Sequence, residues 1–239
     1  MLGQLWNDSI ILTRQLLVAR NLPPEGRSDH DTYAQIATEL LNLRLLASRL
    51  HEGAALFRKL GEFSRTWKDE LPEDAVDAVK RILTYFASKS APLSRLRNKM
   101  GFHQDRDLAK ASLDSIGDEE LVDYHGQFYA TTLYMSAEAL NLRALMHLLE
   151  AGTAREALNI LSDDAQRILG DTNKTCQGYH SWFLQTHITP HHPLAKGEII
   201  PLVGAPAFED VVVPFFVNFD NLKARVDARS PPAEPVDKH

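Results

Sequence analysis

The strongest constraint on the fold of this chain is an apolar pattern with helical spacing in residues 36–50. Apolar side chains recur there every three or four residues, at Ile36, Leu40, Leu41, Leu45, Leu46 and Leu50. Since 3.6 residues make one helical turn, this spacing places most of them along one face of a long helix. Ser28 and Asp29 are both good N-caps, so we expect the helix to begin there. It should run to about Leu60, where Gly61 interrupts it.

Comparable patterns, starts and breaks predict helices along most of the first 190 residues. The expected helices cover residues 5–20, 28–60 and 72–86, a short helix from about Ser94, residues 108–116 and 129–150, and a last long helix capped by Thr153. Pro72, followed by two acidic residues, is typical of a helix start, and Pro92 separates two helices. The predicted fold class is therefore all-α, a helical bundle with a small β-rich or irregular C-terminal extension.

The residue composition changes after Pro190. Residues 198–203 and 210–217 are rich in β-branched and aromatic side chains, and prolines interrupt both runs. These runs predict two short strands that the prolines confine to sheet edges. We therefore divide the chain into a helical domain (1–190), an extended or β-rich segment (191–225) and a disordered, proline-rich tail (226–239).

Composition narrows the class of protein and its compartment. With 239 residues and 44% hydrophobic content, the chain can bury a full core. Its one cysteine, Cys176, excludes an internal disulfide framework and favours a reducing compartment. No stretch approaches the roughly twenty apolar residues of a membrane span, and the N-terminal apolar residues fit an amphipathic helix rather than a signal peptide. We expect a cytoplasmic protein that does not bind membranes.

Charge is distributed unevenly along the chain. The formal net charge is −6, yet residues 80–110 carry +6, which leaves −12 for the rest. The cations of this segment are Lys80, Arg81, Lys89, Arg95, Arg97, Lys99, Arg106 and Lys110. A basic region on an acidic protein is typical of a nucleic-acid or nucleotide site. The alternative is a helix face whose cations are simply solvated.

Within this basic region, residues 96–105 combine an arginine, an amide and a histidine. On a regular helix Arg97 and His103 would lie roughly 120° apart and about 9 Å along the axis, so they could flank a phosphate. Gly101 could loosen the last turn and let His103 approach Arg97, or it could simply end the helix. Arg44 and His51 also match the loose pattern of an arginine and a histidine with four to six residues between them. That pair lies within the long helix, where a solvated flank is the simplest interpretation.

The residues LRNKMGFHQD resemble the recurring motif of the HEPN superfamily, all-helical domains associated with nucleotides and RNA. The motif has an arginine, an adjoining polar residue and a histidine, which here match Arg97, Asn98 and His103. The resemblance is specific over about ten residues and extends in helical architecture over roughly the first 190. In one HEPN subgroup a tyrosine two positions after the histidine is a modification target. Asp105 stands at that position, so the resemblance does not imply this regulation.

The resemblance implies a metal-independent endoribonuclease without a cofactor. His103 would act as general acid or base, Arg97 would bind the phosphate, and Asn98 would position the reacting groups. Arg95, Lys99 and Arg106 would add substrate contacts. HEPN nucleases work as dimers that bring two motifs into one cleft, which implies a homodimer. Relatives also suggest a toxin or phage-defence setting, with an antitoxin or regulatory protein as partner.

Two alternatives from other classes remain open. The domain could bind nucleic acid or a nucleotide without cleaving it, since HEPN-like domains do both, or it could serve only protein assembly. A metal site is the less favoured interpretation of the histidines near the end of the last helix. His180, His187, His191 and His192 lie near Cys176, but no acidic or second cysteine ligand accompanies them at a recognised spacing.

Overall fold

The predicted all-α class is confirmed. The computed structural model describes residues 1–21, 28–101, 105–116, 121–125, 132–192, 203–211, 213 and 215. Its α-helices are α1 (Leu2–Arg20), α2 (Asp29–Thr66), α3 (Glu73–Ala87), α4 (Pro92–Met100), α5 (Arg106–Ile116), α6 (Met135–Leu149) and α7 (Ala154–Phe183). A π-helical turn, Leu184–Ile188, extends α7. None of the helices described is both long and apolar enough to span a membrane.

The long helix α2 begins where its sequence predicts but does not end there. Ser28 caps it: the Ser28 side chain accepts a hydrogen bond from the Asp31 N–H, and the Asp31 carboxylate accepts one from the Ser28 N–H. The predicted interruption at Gly61 is wrong, because α2 continues to Thr66. A Cβ added at Gly61 would lie 3.2 Å from Leu83 Cδ1. This glycine therefore allows α3 to pack closely against α2.

The helix expected from residue 129 begins later. Residues 126–131 lie outside the described part, and α6 starts at Met135. Just before it, Tyr124 and Leu133 pair as an isolated antiparallel bridge through two backbone hydrogen bonds of 2.8 and 2.7 Å. Leu133, which the sequence predicted to be helical, therefore lies in this bridge instead.

Helix α2 forms the centre of the bundle and contacts α1, α3, α4, α6 and α7. Its leucines face apolar side chains from α4, α6 and α7 in one continuous core. The fully buried members include Leu40, Leu43, Leu50, Leu93, Leu96, Leu145, Leu161 and Ile168. Burying each such side chain stabilises the fold by roughly 1.5–3 kcal/mol relative to leaving it in water. The core therefore fixes the position of the short helix α4 against α2.

A buried tyrosine joins the start of α4 to two other helices. Tyr85, near the end of α3, accepts a hydrogen bond from the Leu93 N–H at 3.0 Å and donates one to Asp164 Oδ2 at 2.7 Å. Burial, with a smaller contribution from the bond to Asp164, raises the pKa of Tyr85 well above its ordinary value. The tyrosine hydroxyl thus stays protonated and satisfies one of the unpaired N–H groups at the first turn of α4.

Where the C-terminal segment is described, it contains a turn and a short 3-10 helix (Phe208–Asp210) and no strand. Asn21, at the end of α1, holds it by donating hydrogen bonds to the carbonyl oxygens of Phe208 and Val211, at 2.8 and 3.1 Å. Most of the two predicted strands, and all of residues 226–239, lie outside the described residues.

The packing of α3 on α7 can be tested at two glycines of α7. A Cβ added at Gly178 would lie 2.4 Å from the Ala75 Cβ, whereas a Cβ at Gly170 meets nothing within 4 Å. We predict that Gly178→Ala lowers the free energy of unfolding by about 1–3 kcal/mol, because the helices must separate. Gly170→Ala should raise it by about 0.5–1 kcal/mol, because alanine favours a helix interior. Denaturant unfolding measures both, and equal effects would contradict the packing described here.

Candidate functional site

Helix α4 carries the polar part of the predicted motif and has a strongly apolar inner face. Leu93 and Leu96 are fully buried, and Met100 is 3% exposed. These positions are three and four residues apart, so they share one face of the helix. Their burial leaves Arg97, Asn98 and Lys99 exposed at the C-terminal turn. The arginine and the amide of the motif are thus presented to solvent.

The basic residues that are neighbours in the sequence point to different sides of α4. Arg95 and Lys99 are four residues apart and share a side. Each has an acidic neighbour: Arg95 approaches Glu150 at 4.0 Å, and Lys99 forms an ion pair with Asp105. Two of the cations expected to bind substrate are therefore next to carboxylates of the same chain.

Arg97 differs from both. Its Nη1 donates a hydrogen bond to the neutral amide oxygen of Asn98 at 3.1 Å. Within the described residues it forms no salt bridge. A guanidinium whose charge is not matched by a carboxylate can bind a phosphate through two parallel N–H donors. Of the residues predicted to be catalytic, Arg97 and Asn98 lie together, and His103 lies outside the described residues.

The structure brings a different histidine towards Arg97. His51 of α2 lies with its Nδ1 3.4 Å from Ser94 Oγ, one turn before Arg97 on α4. Its ring packs nearly perpendicular to that of Phe86, with 5.6 Å between ring centroids. The interpretation of Arg44 and His51 as a solvated flank is therefore wrong: both are half-buried, because this part of α2 lies beneath α4.

The charge state of His51 reflects its surroundings. Burial lowers the pKa of His51 below its ordinary value of 6.5, and the positive charge of Arg97 lowers it further. The charge of Arg58 acts in the same direction, and that of Glu52 opposes it. His51 is therefore mainly neutral near pH 7, which is the form that can accept a proton.

Gly101 ends α4 and brings the chain close to Ser48 of α2. A Cβ added at Gly101 would lie 3.3 Å from Ser48 Oγ and only 2.6 Å from the backbone carbonyl oxygen of Arg97. Of the two roles weighed for this glycine, the described residues thus show the end of the helix. Ser48 itself is 3% exposed, and its hydroxyl has no hydrogen-bond partner among the described residues.

On the other side of α4, Asp105 precedes the helix α5. Asp105 Oδ1 accepts a hydrogen bond from the Leu108 N–H at 3.0 Å, as an N-cap does. The hydrogen bond from Lys99 is the main cause that lowers the pKa of Asp105 below its ordinary range, and the hydrogen bond from Leu108 is the second. Arg106 is exposed in the first turn of α5. A pocket of about 250 Å³ opens beside the Lys99–Asp105 pair, between α4, α5 and α6, and its walls are mostly apolar.

The histidines near the end of α7 do not form a metal site in the part of the chain that the structure describes, where no three potential ligands come together. His187 instead packs against the rings of Trp182 and Phe183, with centroid distances of 5.1 and 5.5 Å.

Cys176 is fully buried, and burial raises the pKa of its thiol to about 12. This thiol is protonated at neutral pH and unsuited to act as a nucleophile.

The environment of His51 predicts how stability depends on pH. Its folded-state pKa is lower than its unfolded value, so below about pH 6.5 the unfolded chain binds a proton more readily than the folded protein. The contribution of His51 to the free energy of unfolding is therefore fully present above about pH 6.5. It is lost as the pH falls towards the folded-state pKa of His51. We predict that His51→Gln flattens the change in unfolding free energy between about pH 7 and 5. Arg97→Gln should flatten it partly, because one source of the shift is removed.

Urea unfolding at a series of pH values measures this dependence. A steeper fall in the stability of His51→Gln than of the unsubstituted protein would contradict the environment described for His51.

Comparisons with known proteins add no functional assignment. No protein-family model matches the sequence, and no curated protein or solved structure gives a significant match. The likeness to HEPN domains therefore remains a resemblance carried by residues 96–105.

Proposed function

We propose that this protein is a metal-independent endoribonuclease of HEPN-like type. It cleaves RNA by promoting the attack of an RNA 2′-hydroxyl on the adjacent phosphorus. The observation that carries this proposal is the state of Arg97, an exposed guanidinium with no acidic partner in the described residues, beside an exposed amide. An unpaired cation next to a hydrogen-bonding side chain suits a site for one phosphate group.

In the proposed reaction a base takes the proton of the 2′-hydroxyl, whose oxygen attacks the adjacent phosphorus. The bond from phosphorus to the 5′-oxygen breaks, this oxygen receives a proton, and a cyclic phosphate remains on the other fragment. Arg97 stabilises the negative charge that grows on the phosphate oxygens. Asn98 positions the phosphate, and His103 transfers a proton. Since RNA supplies the nucleophile, these steps require neither a metal nor a cofactor.

The proposal includes a homodimer in which two copies of the motif share one cleft. One motif histidine can serve as base or as acid, and the reaction benefits from both. A symmetric pair provides two histidines from one sequence. Arg95, Lys99 and Arg106 would contact the flanking RNA, although Arg95 and Lys99 would have to exchange their acidic neighbours for phosphate. A toxin or defence role with an antitoxin partner rests on the resemblance alone.

The two sides of α4 provide a matched test of this function. We predict that Arg97→Gln lowers kcat/KM for cleavage of labelled RNA by roughly 10²–10³-fold, because a preorganised contact to the transition-state charge is lost. Arg95→Gln removes a cation from the same helix but from the side that faces Glu150, and it should have a much smaller effect. His103→Ala should abolish cleavage and leave the fold intact.

The assay is run with and without a chelator, and circular dichroism checks the fold of each variant. RNA binding without cleavage would favour the non-catalytic module. Neither binding nor cleavage would favour a role in protein assembly. Full activity of His103→Ala would exclude the proposed proton transfer.

A further inference from the structure

A polar seam runs between α2 and α4, formed by Ser48, His51, Ser94 and Arg97; we call it the α2–α4 seam. Ser48 and His51 are three residues apart on α2, and Ser94 and Arg97 are three apart on α4. Each pair therefore shares one helix face. The 3.4 Å distance from His51 Nδ1 to Ser94 Oγ brings these two faces together.

The seam contains more hydrogen-bonding capacity than the described residues use. Ser48 Oγ is buried and finds no partner in the part of the chain that the structure describes, which is rare for a hydroxyl inside a protein. The described residues give His51 one hydrogen bond, at Nδ1, and none at Nε2. When the Ser94 hydroxyl donates to Nδ1, Nε2 carries the proton and is available as a donor. With that tautomer, neither the Ser48 hydroxyl nor His51 Nε2 has an acceptor among the described residues.

The positive charge of Arg97 in the seam is also not balanced by a carboxylate among the described residues. Arg97 bonds only to an amide within the described part of the chain. Arg97 and Arg58 both repel a proton on His51, and Glu52 is the acidic residue that opposes them. An anion would be attracted to this group of cations. Donors without acceptors and an arginine, Arg97, without a carboxylate partner among the described residues indicate the same chemical class of ligand, an oxyanion.

We propose that the α2–α4 seam binds one phosphate group, with Arg97 as its cation and with Ser48 and His51 as hydrogen-bond donors from α2. This inference rests on the proposed function in one respect: the phosphate would be that of an RNA phosphodiester. His51 then supplies an imidazole to the same phosphate that Arg97 holds.

The test follows the ring signals of the histidines by NMR while inorganic phosphate is added at constant pH and ionic strength. The His51 signal is identified by its loss in His51→Gln. We expect a saturable shift of the His51 signal, because a bound anion changes the field at the imidazole. Arg97→Gln should weaken phosphate binding about tenfold, the effect of losing one charged hydrogen-bond partner. Lys174→Gln, which removes an exposed cation of α7 that has no place in the proposed site, should leave the affinity within about twofold.

Two further variants refine the test. Arg97→Lys keeps the charge but loses the planar pair of donors. It should therefore bind phosphate more tightly than Arg97→Gln but more weakly than the unsubstituted protein. Ser48→Ala removes a buried hydroxyl without enlarging the side chain, and it should weaken phosphate binding while the Arg97 side chain stays in place. Thermal unfolding of each variant checks that it folds. Arg97 is exposed, so its replacement leaves the core intact.

The outcomes separate this inference from the proposed function. A saturable shift of His51 that depends on Arg97 supports the phosphate site whether or not the protein cleaves RNA. The absence of such a shift overturns the site, even when RNA cleavage depends on Arg97. A shift that Arg97→Gln leaves unchanged also overturns it, because phosphate would then bind elsewhere. RNA cleavage by the unsubstituted protein is scored independently and decides the nuclease proposal alone.

Discussion

The burial of one face of α4 against α2 determines everything else about the candidate site. Leu93, Leu96 and Met100 are inserted into the central core, and Tyr85 holds the first turn of the helix by a hydrogen bond. A nine-residue helix would not be stable alone in water, so its orientation comes from these contacts. With the apolar side fixed, Ser94 lies next to His51 of α2 and Arg97 is exposed one turn further along, whereas Arg95 and Lys99 lie on another side.

This orientation divides a basic sequence into cations with different chemical roles. Lys99 pairs with Asp105, and Arg95 lies near Glu150, so part of their charge is compensated within the chain. Arg97 instead lies near a half-buried imidazole whose proton it disfavours. An anion that binds beside Arg97 would relieve that repulsion. Local charge in the sequence indicates where an anion is attracted, but the packing of the helix decides which cation is free to bind it.

The sequence predicted the helical class and several helix starts because these depend on local patterns. The cap at Ser28 and the start after Pro72 follow from side-chain chemistry within one turn. The continuation of α2 through Gly61 could not be predicted in this way, since it depends on the close approach of α3. Stabilising contacts from a neighbouring helix outweigh the roughly 1 kcal/mol that glycine costs.

The same distinction applies to the site. The exposure of Arg97 and Asn98 follows from the apolar spacing of α4, which is a local pattern of the sequence. The approach of His51 does not follow from any local pattern, because it depends on how two helices distant in the sequence pack together. Arg44 and His51 match the same loose arginine-to-histidine pattern, which drew attention to this histidine, but periodicity alone placed it on a solvated flank. Only the packing of α2 under α4 shows that it belongs beside Arg97.

The most direct measurement of the central claim is a crystal structure of the protein with a short RNA whose 2′-hydroxyl at the cleavage position is removed, so that it binds uncut. The account predicts a phosphate whose oxygens lie about 2.7–3.2 Å from the Arg97 guanidinium and from Ser48 Oγ or His51 Nε2. The contacts between the RNA phosphates and the protein should not be confined to the side of α4 that carries Arg95 and Lys99. An RNA held only by Arg95, Lys99 and Arg106, with the α2–α4 seam empty, would contradict the account.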